Sequence, residues 1–412
     1  MQVIKDIEVN KRKVGVKMAV IYLDNAATTP VWPEVVDAML PYYRENYGNP
    51  SGIYGFAEKR KEDISNSRKR IASSIGARDK EIYFTSGGTE SDNWALQSAV
   101  LMVKGKKRHI ITTEIEHHAI LNTCLSLEKQ GVEITYLKVD ENGMVSPEEV
   151  ERAIRPYTCL VSVMFANNEV GTIQPIEKIG RITKKYHVPF HTDAVQAYGH
   201  IPINVKTMNI DMLSASGHKF NGPKGIGFLY INKEINLPPF LYGGHQENGK
   251  RAGTENVAGI IGIGKAAEMA ENMQGKDKER IRKMRDHLID RILTEIPYSR
   301  VNGSRKHRLP GNCNFSFQFI EGTSLLILLD TDGICASAGS ACSSGETSPS
   351  HVLSAMGVPN EIARGTLRLT IGYQNTMEEM DYAVECIKKH VKKLREGSPE
   401  FEDYQNKNLA NQ

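Results

Sequence analysis

Short apolar runs alternate with longer amphipathic segments through the middle of the chain. The apolar runs predict strands at His109–Thr112, Glu133–Leu137, Leu160–Met164, Phe190–Thr192, Met212–Ala215 and Gly227–Ile231. Helical patterns lie between most of these strands, and such alternation is typical of a mostly parallel sheet covered by helices. The pattern therefore predicts an α/β fold whose functional residues lie at the carboxyl ends of the strands.

The segments on either side of this region add further elements. Helices are predicted at Pro33–Tyr43, residues 56–76, residues 257–296 and Met377–Arg395, and strands at residues 312–317 and 324–330. The glycine-rich stretch 241–256 and the helices after it are expected to contain the boundary between a large and a small domain. The polar tail from Gly397 is expected to be loosely held.

The composition is that of an ordinary soluble protein with room for two or more cores. The 412 residues are 40% hydrophobic and 25% charged, and a chain of this length usually forms more than one domain. The net charge of +3 gives no reason to expect direct nucleic-acid binding. We see no apolar run long enough to span a bilayer, so no membrane association is expected.

The spacing of the cysteines and the first residues of the chain bear on where in the cell the protein resides. The six cysteines show no Cys-x-x-Cys spacing and no paired framework, which favours a reducing cytoplasm. Residues 1–17 lack the features of a signal or transit peptide, and Met18 directly precedes the first apolar run. We expect residues 1–20 to be an arm whose first 17 residues can be deleted without loss of activity or dimerisation.

One lysine follows a predicted strand and lies among small residues and a histidine. Lys219 lies in Leu213-Ser-Ala-Ser-Gly-His-Lys-Phe220, and a glycine- and proline-rich turn follows it. A lysine held in a pocket can lose its proton and form a Schiff base with an aldehyde. Most lysines are solvated surface charges, so this stretch alone leaves both interpretations open.

A glycine turn joins another predicted strand to a helix. Thr85-Ser-Gly-Gly-Thr-Glu-Ser91 follows the strand that begins near Glu81. The N-terminus of a helix presents unpaired N–H groups that can bind a phosphate, and Gly87 and Gly88 allow close approach. An ordinary capped turn explains this motif equally well.

Polar residues follow four of the predicted strands, at Glu116–His118, Asn167–Glu169, Asp193–Gln196 and Ser216–Lys219. A single histidine or aspartate in such a place is more often structural. Four such sites at one sheet edge point to chemistry, because pyridoxal phosphate requires an aspartate for its pyridinium nitrogen and a lysine for its aldehyde.

Residues 335–350 consist almost entirely of small and turn-forming residues. Such a segment buries little surface, so we expect it to be mobile. Cys335 is expected to be a small buried hydrophobe near a strand. Cys342 lies within the segment and is expected to be an exposed nucleophile on a moving arm.

The motifs together resemble those of one family. In order, they are Tyr-Leu-Asp-Asn-Ala-Ala-Thr-Thr (22–29), Thr-Ser-Gly-Gly-Thr-Glu-Ser (85–91), Asn-Asn-Glu-Val-Gly (167–171), Asp-Ala-Val-Gln (193–196), Ser-Gly-His-Lys (216–219) and Gly-Ser-Ala-Cys (339–342). The chain resembles the cysteine desulfurases, the class V branch of fold-type I pyridoxal phosphate enzymes, and among them the iron–sulfur cluster assembly branch. The match runs from about Ile21 to about Arg395.

The resemblance implies a large domain with a mostly parallel seven-stranded sheet and a smaller α/β C-terminal domain. After the arm at 1–20, residues 36–260 would form the large domain. Residues 21–35 and 261–396 would form the small domain, with the cysteine loop at about 335–350. Residues 397–412 would be a tail.

The resemblance also assigns roles. Lys219 would form the Schiff base, Asp193 would pair with the pyridine nitrogen and Gln196 with the ring hydroxyl. His117 would stack on the ring and move protons. The phosphate would be held by Gly88, Thr89, Ser216 and His218, with Thr254 reaching in from the partner subunit.

The substrate would be L-cysteine. Arg368 would bind its carboxylate, which suits a guanidinium fork, and Asn168 would lie beside cofactor and substrate. Cys342 would take the sulfur as a persulfide, with release of L-alanine, and it is also a candidate iron–sulfur cluster ligand shared with a scaffold.

The resemblance further implies a homodimer that passes sulfur to an iron–sulfur scaffold protein and to a tRNA-thiolation protein. Ala338, His245, Ala252 and Tyr373 depart from the usual family residues, and His245 and Tyr373 bear on the site mouth and the partner surface. A related pyridoxal phosphate lyase or aminotransferase, a selenocysteine lyase and a non-catalytic binding module are the competing interpretations.

Overall fold

The computed structural model describes residues 20–103, 105, 107–273, 275–338 and 350–410 of the chain. The strands there are β1 (Ile21–Tyr22), β2 (Ile82–Thr85), β3 (His109–Thr113), β4 (Glu133–Leu137), β5 (Thr158–Ser162), β6 (Phe190–Asp193), β7 (Met212–Ser216), β8 (Gly227–Ile231), β9 (Ser299–Val301), β10 (Asn312–Phe317), β11 (Ile334–Cys335) and β12 (Thr366–Thr370). The α-helices there are α1 (Pro33–Arg44), α2 (Gly55–Ser74), α3 (Gly88–Met102), α4 (His118–Glu128), α5 (Pro147–Ala153), α6 (Ile176–Lys185), α7 (Val257–Asn272), α8 (Lys276–Glu295), α9 (Gly322–Thr331), α10 (His351–Ala355), α11 (Asn360–Ala363), α12 (Met377–Glu396) and α13 (Pro399–Ala410).

The largest sheet has seven strands in the order β2-β8-β7-β6-β5-β3-β4. The pairs from β7 across to β4 are parallel, whereas β8 runs antiparallel to both β2 and β7. The predicted α/β fold with a mostly parallel sheet is therefore confirmed. The strand expected at Leu160–Met164 begins two residues earlier, at Thr158.

Helices cover both faces of this sheet because successive side chains of its strands point to opposite sides. Met212 and Leu229 pack with α3 and α4 on one face. Leu213 and Phe228 pack on the other face with α1, α2 and α7. Because both faces of the sheet are covered, its strands carry apolar residues on both sides, which explains their continuous apolar runs in the sequence.

A second core forms around the antiparallel sheet β12-β10-β9 and the helices α8, α9 and α12. The prediction of a strand at 324–330 is wrong, because these residues lie in α9. Leu325 and Leu329, four residues apart, are fully buried, while Ile327 between them is 53% exposed. That spacing belongs to a helix with one buried face.

Helix α7 crosses the expected domain boundary at residue 260. Its Ile260, Ile263 and Ala266 belong to the core of the seven-stranded sheet. The division of the chain into domains stays a prediction.

The expectation of a loosely held tail is wrong for α13. Phe401 and Tyr404 each pack edge-on against the Tyr298 ring and at a tilt against the Phe319 ring. No helix in the described part of the chain has the length and apolar character needed to cross a membrane.

Candidate active site

Two neighbouring strands end next to the predicted aspartate and lysine. Strand β6 ends at Asp193, which lies opposite Ser214 on β7, and β7 runs into a short 3-10 turn over Gly217–Lys219. Because parallel strands end at the same edge of a sheet, the structure brings Asp193 and Lys219 to one edge.

The side chains of Lys219 and Gln196 meet at the loop that follows β1. Lys219 Nζ donates hydrogen bonds to the carbonyl oxygens of Ala26 and Ala27, at 2.7 and 2.8 Å. Gln196 Nε2 donates to the same Ala26 oxygen at 3.0 Å. The loop therefore forms one wall of the site, and a shared acceptor holds the amine and the amide close together.

His117 and Asp193 share the electrostatic environment of Lys219. Burial raises the pKa of the Asp193 carboxyl, and the nearby His117 and Lys219 oppose that rise. Burial lowers the pKa of His117, while the Asp193 carboxylate acts in the opposite direction. His117 Nδ1 accepts a hydrogen bond from the Ala119 N–H at 3.1 Å, so the neutral ring carries its proton on Nε2.

The glycine turn lies against the same edge. Helix α3 begins at Gly88, and a Cβ added there would lie 2.6 Å from Val195 Cγ2 and 3.8 Å from Ser216 Cβ. Only a residue without a side chain fits this position unchanged. Thr89, on the first turn of α3, lines an open groove with His117.

His218 occupies the turn beside Lys219. Its Nδ1 lies 3.1 Å from Thr28 Oγ1. Burial and the charges of Lys219 and Lys224 lower the pKa of His218 to about 4, so the ring is neutral at physiological pH. Gly88, Ser216 and His218 thus lie around the turn that the resemblance assigns to the phosphate.

Arg368 and Asn168 come together although 200 residues separate them. The guanidinium of Arg368 is buried. Its Nη1 donates to the Asn168 carbonyl oxygen at 3.1 Å, and its Nη2 donates to Asp24 Oδ1 at 2.8 Å. The predicted carboxylate-binding arginine therefore lies in a cluster with Asn168.

Cys342 lies outside the described residues, but the chain on either side of its segment attaches to this cluster. Ser337 exchanges two backbone hydrogen bonds with Arg368. At the other end, Ser350 Oγ donates to the carboxylate of Glu169, which follows Asn168. The residues that flank the segment 339–349 on both sides are therefore anchored beside Asn168 and Arg368.

Thr254 is exposed on the glycine-rich stretch 241–256. Glu247 fixes this stretch against β2, because its carboxylate binds both Nη atoms of Arg68 at 2.7 Å and accepts the Phe84 N–H at 2.9 Å. Arg251 adds a two-point ion pair with Glu90 on α3. Thr254 thus lies on a loop that is tied to the glycine turn.

Sequence reasoning missed several residues of this region. It gave residues 23–30 no role beyond the family motif at 22–29, whereas Ala26, Ala27 and Asp24 contact the predicted site residues. Their position directly after the first strand was the available signal. Nothing in the local pattern around His351 indicated that its Nε2 would lie 3.0 Å from the Glu116 carbonyl oxygen, with its ring against His118.

The fold and this site define a class of enzyme, and comparison with known proteins agrees. The family model described as "Aminotransferase class-V" matches residues 21–383. The "Cysteine desulfurase IscS" of Methanosarcina thermophila is 55% identical over 92% of this chain and 94% of its own length. The protein of the same name from Clostridium botulinum is 51% identical over 93% and 97%.

Solved structures give the same result. A structure described as a NifS-like protein superposes with a TM-score of 0.85 at 38% identity, over 91% of this chain and 100% of that one. Another, described as SspA in complex with cysteine, gives a TM-score of 0.77 at 37% identity, over 86% of this chain and 100% of that one. The chain therefore belongs to the cysteine desulfurase family of pyridoxal phosphate-dependent enzymes.

The residues of this site suit pyridoxal phosphate. A buried carboxylate is costly without a cationic partner, and a pyridinium would supply one for Asp193. The start of α3 provides N–H groups for a phosphate, and Val195 packs so closely against Gly88 that no side chain fits at this helix start. Lys219 would supply the amine that the cofactor aldehyde requires.

Proposed function

We propose that the protein moves the sulfur of L-cysteine onto Cys342 and releases L-alanine. The observation that carries this proposal is the anchoring of the Cys342 segment, whose two ends attach to Arg368 and to Glu169. A thiol in the segment between these anchors is tethered to residues beside Arg368 and Asn168, which would hold the substrate carboxylate. That arrangement favours attack on the substrate sulfur over solvent chemistry.

The cofactor residues are proposed on the geometry described above. Lys219 would bind the aldehyde carbon, Asp193 would face the ring nitrogen and Gln196 the ring hydroxyl. The phosphate would be held by Gly88, Thr89, Ser216 and His218, with Thr254 of a second subunit. When bound, pyridoxal phosphate draws electrons away from the substrate Cα and so weakens its bond to hydrogen.

The protein's own groups would move the protons and the sulfur. Lys219 Nζ would act as the base at the reacting carbon, and His117, whose ring proton lies on Nε2, would act as acid. The Cys342 thiolate would attack the substrate sulfur. A sulfur–sulfur bond then forms while the Cβ–sulfur bond breaks, and its electron pair stays on carbon, which takes a proton to become the methyl group of alanine.

A homodimer is proposed from the surface next to Thr254. Tyr47, Ile53, Tyr54 and Phe56 are exposed apolar side chains, as is Tyr242 on the glycine-rich stretch. Pro50 and Gln246 from the two segments line one open pocket. Large exposed apolar side chains near one another favour an interface, and a second copy would bring its own Thr254 to it.

An iron–sulfur scaffold protein and a tRNA-thiolation protein are proposed as sulfur acceptors, in the cytoplasm. We also propose Cys342 as a cluster ligand shared with the scaffold. Within the described residues, no group of three or more His, Cys, Asp or Glu side chains could hold a metal ion.

The decisive experiment compares Cys342→Ala with Lys219→Ala and with the control Cys335→Ala. Purified protein is mixed with L-cysteine, alanine is quantified, and persulfide is located by mass spectrometry. We expect Cys342→Ala to form no persulfide while its cofactor absorbance still responds to cysteine. Lys219→Ala should lose the absorbance of the lysine-bound cofactor, and Cys335→Ala should behave as wild type.

Full sulfide release by Cys342→Ala in the presence of a reductant would contradict the assigned nucleophile. Formation of a keto acid in place of alanine would favour an aminotransferase. Purified wild type without bound cofactor or turnover would favour a binding module.

A further inference from the structure

The guanidinium proposed to bind the substrate carboxylate already has a carboxylate partner. Asp24 Oδ1 accepts from Arg368 Nη2 at 2.8 Å, and the two side chains are 20% and 2% exposed, respectively. The aspartate is therefore the partner that faces solvent.

The remaining contacts of Arg368 leave few donors for a ligand. Nη1 donates to the Asn168 carbonyl oxygen. The Nε atom is buried and has no hydrogen-bond partner among the described residues. A buried donor without a partner is unfavourable, and a carboxylate binds a guanidinium best through two parallel hydrogen bonds. Asp24 makes only one such bond here, so it is an imperfect partner.

The backbone fixes Asp24 in this position. The Leu23 N–H donates to the Cys335 carbonyl oxygen at 2.9 Å, and the Thr370 N–H donates to the Leu23 carbonyl oxygen at 2.7 Å. Asp24 is thus held between β11 and β12 by its neighbours in the chain. Its main chain cannot withdraw without breaking these bonds, whereas its partly exposed side chain can rotate towards solvent.

We infer that Asp24 is an internal competitor of the substrate carboxylate for Arg368 and so sets the affinity for amino-acid substrates. It acts through Arg368 and is a positioning residue for the reaction. This inference rests on the proposed carboxylate-binding role of Arg368. Asp24 neutralises the buried guanidinium before substrate binds, and an incoming carboxylate that makes two hydrogen bonds replaces it.

The test uses the holoenzyme and the neutral, equally sized variant Asp24→Asn. Binding of 3-mercaptopropionate, which has the thiol and carboxylate of cysteine but no amine, is measured by calorimetry. 2-Aminoethanethiol, which lacks the carboxylate, is the matched probe. Asp381→Asn is the control variant, since Asp381 pairs with Arg291 on the surface.

We expect the Kd of 3-mercaptopropionate and the KM for L-cysteine to fall about fivefold or more in Asp24→Asn, because a competing state no longer lowers the fraction of Arg368 available. The Kd of 2-aminoethanethiol and the kcat should change less than about twofold, the range expected when only carboxylate binding is altered. The unfolding midpoint without ligand should fall, because a buried guanidinium loses its counter-charge. Asp381→Asn should show none of these changes in affinity.

An unchanged or raised Kd for 3-mercaptopropionate in Asp24→Asn would overturn the inference, since Asp24 would then only orient Arg368. If the variant does not fold, Asp24→Ser carries the same expectations. Arg368→Ala separates the two proposals: if it leaves the Kd and the KM unchanged, the carboxylate role of Arg368 itself fails. If it raises both while Asp24→Asn has no effect, only the role of Asp24 fails.

Discussion

Ser337 and Arg368 exchange two backbone hydrogen bonds, with the Ser337 N–H donating at 3.1 Å and the Arg368 N–H donating at 2.6 Å. One end of the Cys342 segment is thereby built into the strand that carries the proposed carboxylate-binding side chain. A displacement of either residue must therefore move the other or break one of these hydrogen bonds.

Removing one of these bonds should impair sulfur transfer. Ser337→Pro deletes the donor N–H, so the segment should start from a shifted position and persulfide formation should fall about tenfold or more, as for other small misplacements of reacting groups. Ser337→Ala keeps both backbone bonds and is the control. Single-turnover persulfide formation measures the effect, and equal rates in the two variants would contradict it.

A side chain at Gly88 should weaken cofactor binding. The Cβ of Gly88→Ala would lie 2.6 Å from Val195 Cγ2, so either the start of α3 or the Val195 side chain, two residues after β6, must shift. We expect the Kd for pyridoxal phosphate to rise about tenfold, which corresponds to about 1.4 kcal/mol. Titration of apoprotein, followed by absorbance, measures this change.

The matched variant for Gly88→Ala is the double variant with Val195→Ala, which removes the colliding methyl group. It should recover most of the lost affinity, while Val195→Ala alone should bind nearly as wild type. A double variant as weak as Gly88→Ala would place the cause elsewhere.

Glu116 should make the apoprotein less stable as the pH rises. Burial raises the pKa of this carboxyl from 4.5 to about 8, so the folded protein keeps a proton that the unfolded chain loses. The stability linked to this proton is complete below pH 4.5 and is lost as the pH rises towards 8. The decline is about 1.4 kcal/mol for each pH unit between those values.

Glu116→Gln should flatten this decline. A glutamine keeps an oxygen to accept the Thr113 and Met164 hydrogen bonds and carries no titrating proton. Chemical unfolding between pH 5 and 8 measures the slope. Glu133→Gln is the control, because Arg155 lowers the pKa of that exposed carboxyl and its effect lies below this range; equal slopes in all three proteins would refute the prediction.

Glu247→Gln should destabilise the fold by about 3 kcal/mol, the usual cost of breaking a buried ion pair. Glu247 is buried and binds Arg68 at two points, in addition to the Phe84 N–H. The comparison is Glu268→Gln, whose partners Arg70 and Lys265 are 47% and 30% exposed; the substitution should cost less than about 1 kcal/mol. Urea unfolding of the two variants gives both values, and similar losses would show that burial does not set the strength of these pairs.

Most strand-end residues could be predicted because their signal is local. Asp193, Asn168 and Lys219 each follow an apolar run, and parallel strands must end at one edge of the sheet. The family motifs then supplied roles that spacing alone left open. The apolar run at 324–330 led to a wrong strand prediction, because a short apolar stretch looks the same in a buried strand and in a helix.

Contacts between distant segments could not be predicted in this way. Asp24 and Arg368 are 344 residues apart, and the resemblance assigned Arg368 to a substrate without naming its partner in the protein. The packing of α13 on Tyr298 and Phe319 could not be predicted either, because the tail is polar apart from a few aromatic residues.

The sequence by itself determined the α/β class, the succession of strands along the chain that forms the large sheet and the residues at their ends, because hydrophobic period and turn chemistry act over a few neighbouring residues. Only the tertiary structure decided which side chains face each other at the carboxyl edge of the sheet. Such pairings depend on strand register and on how the two cores pack together, and those are properties of the whole folded chain.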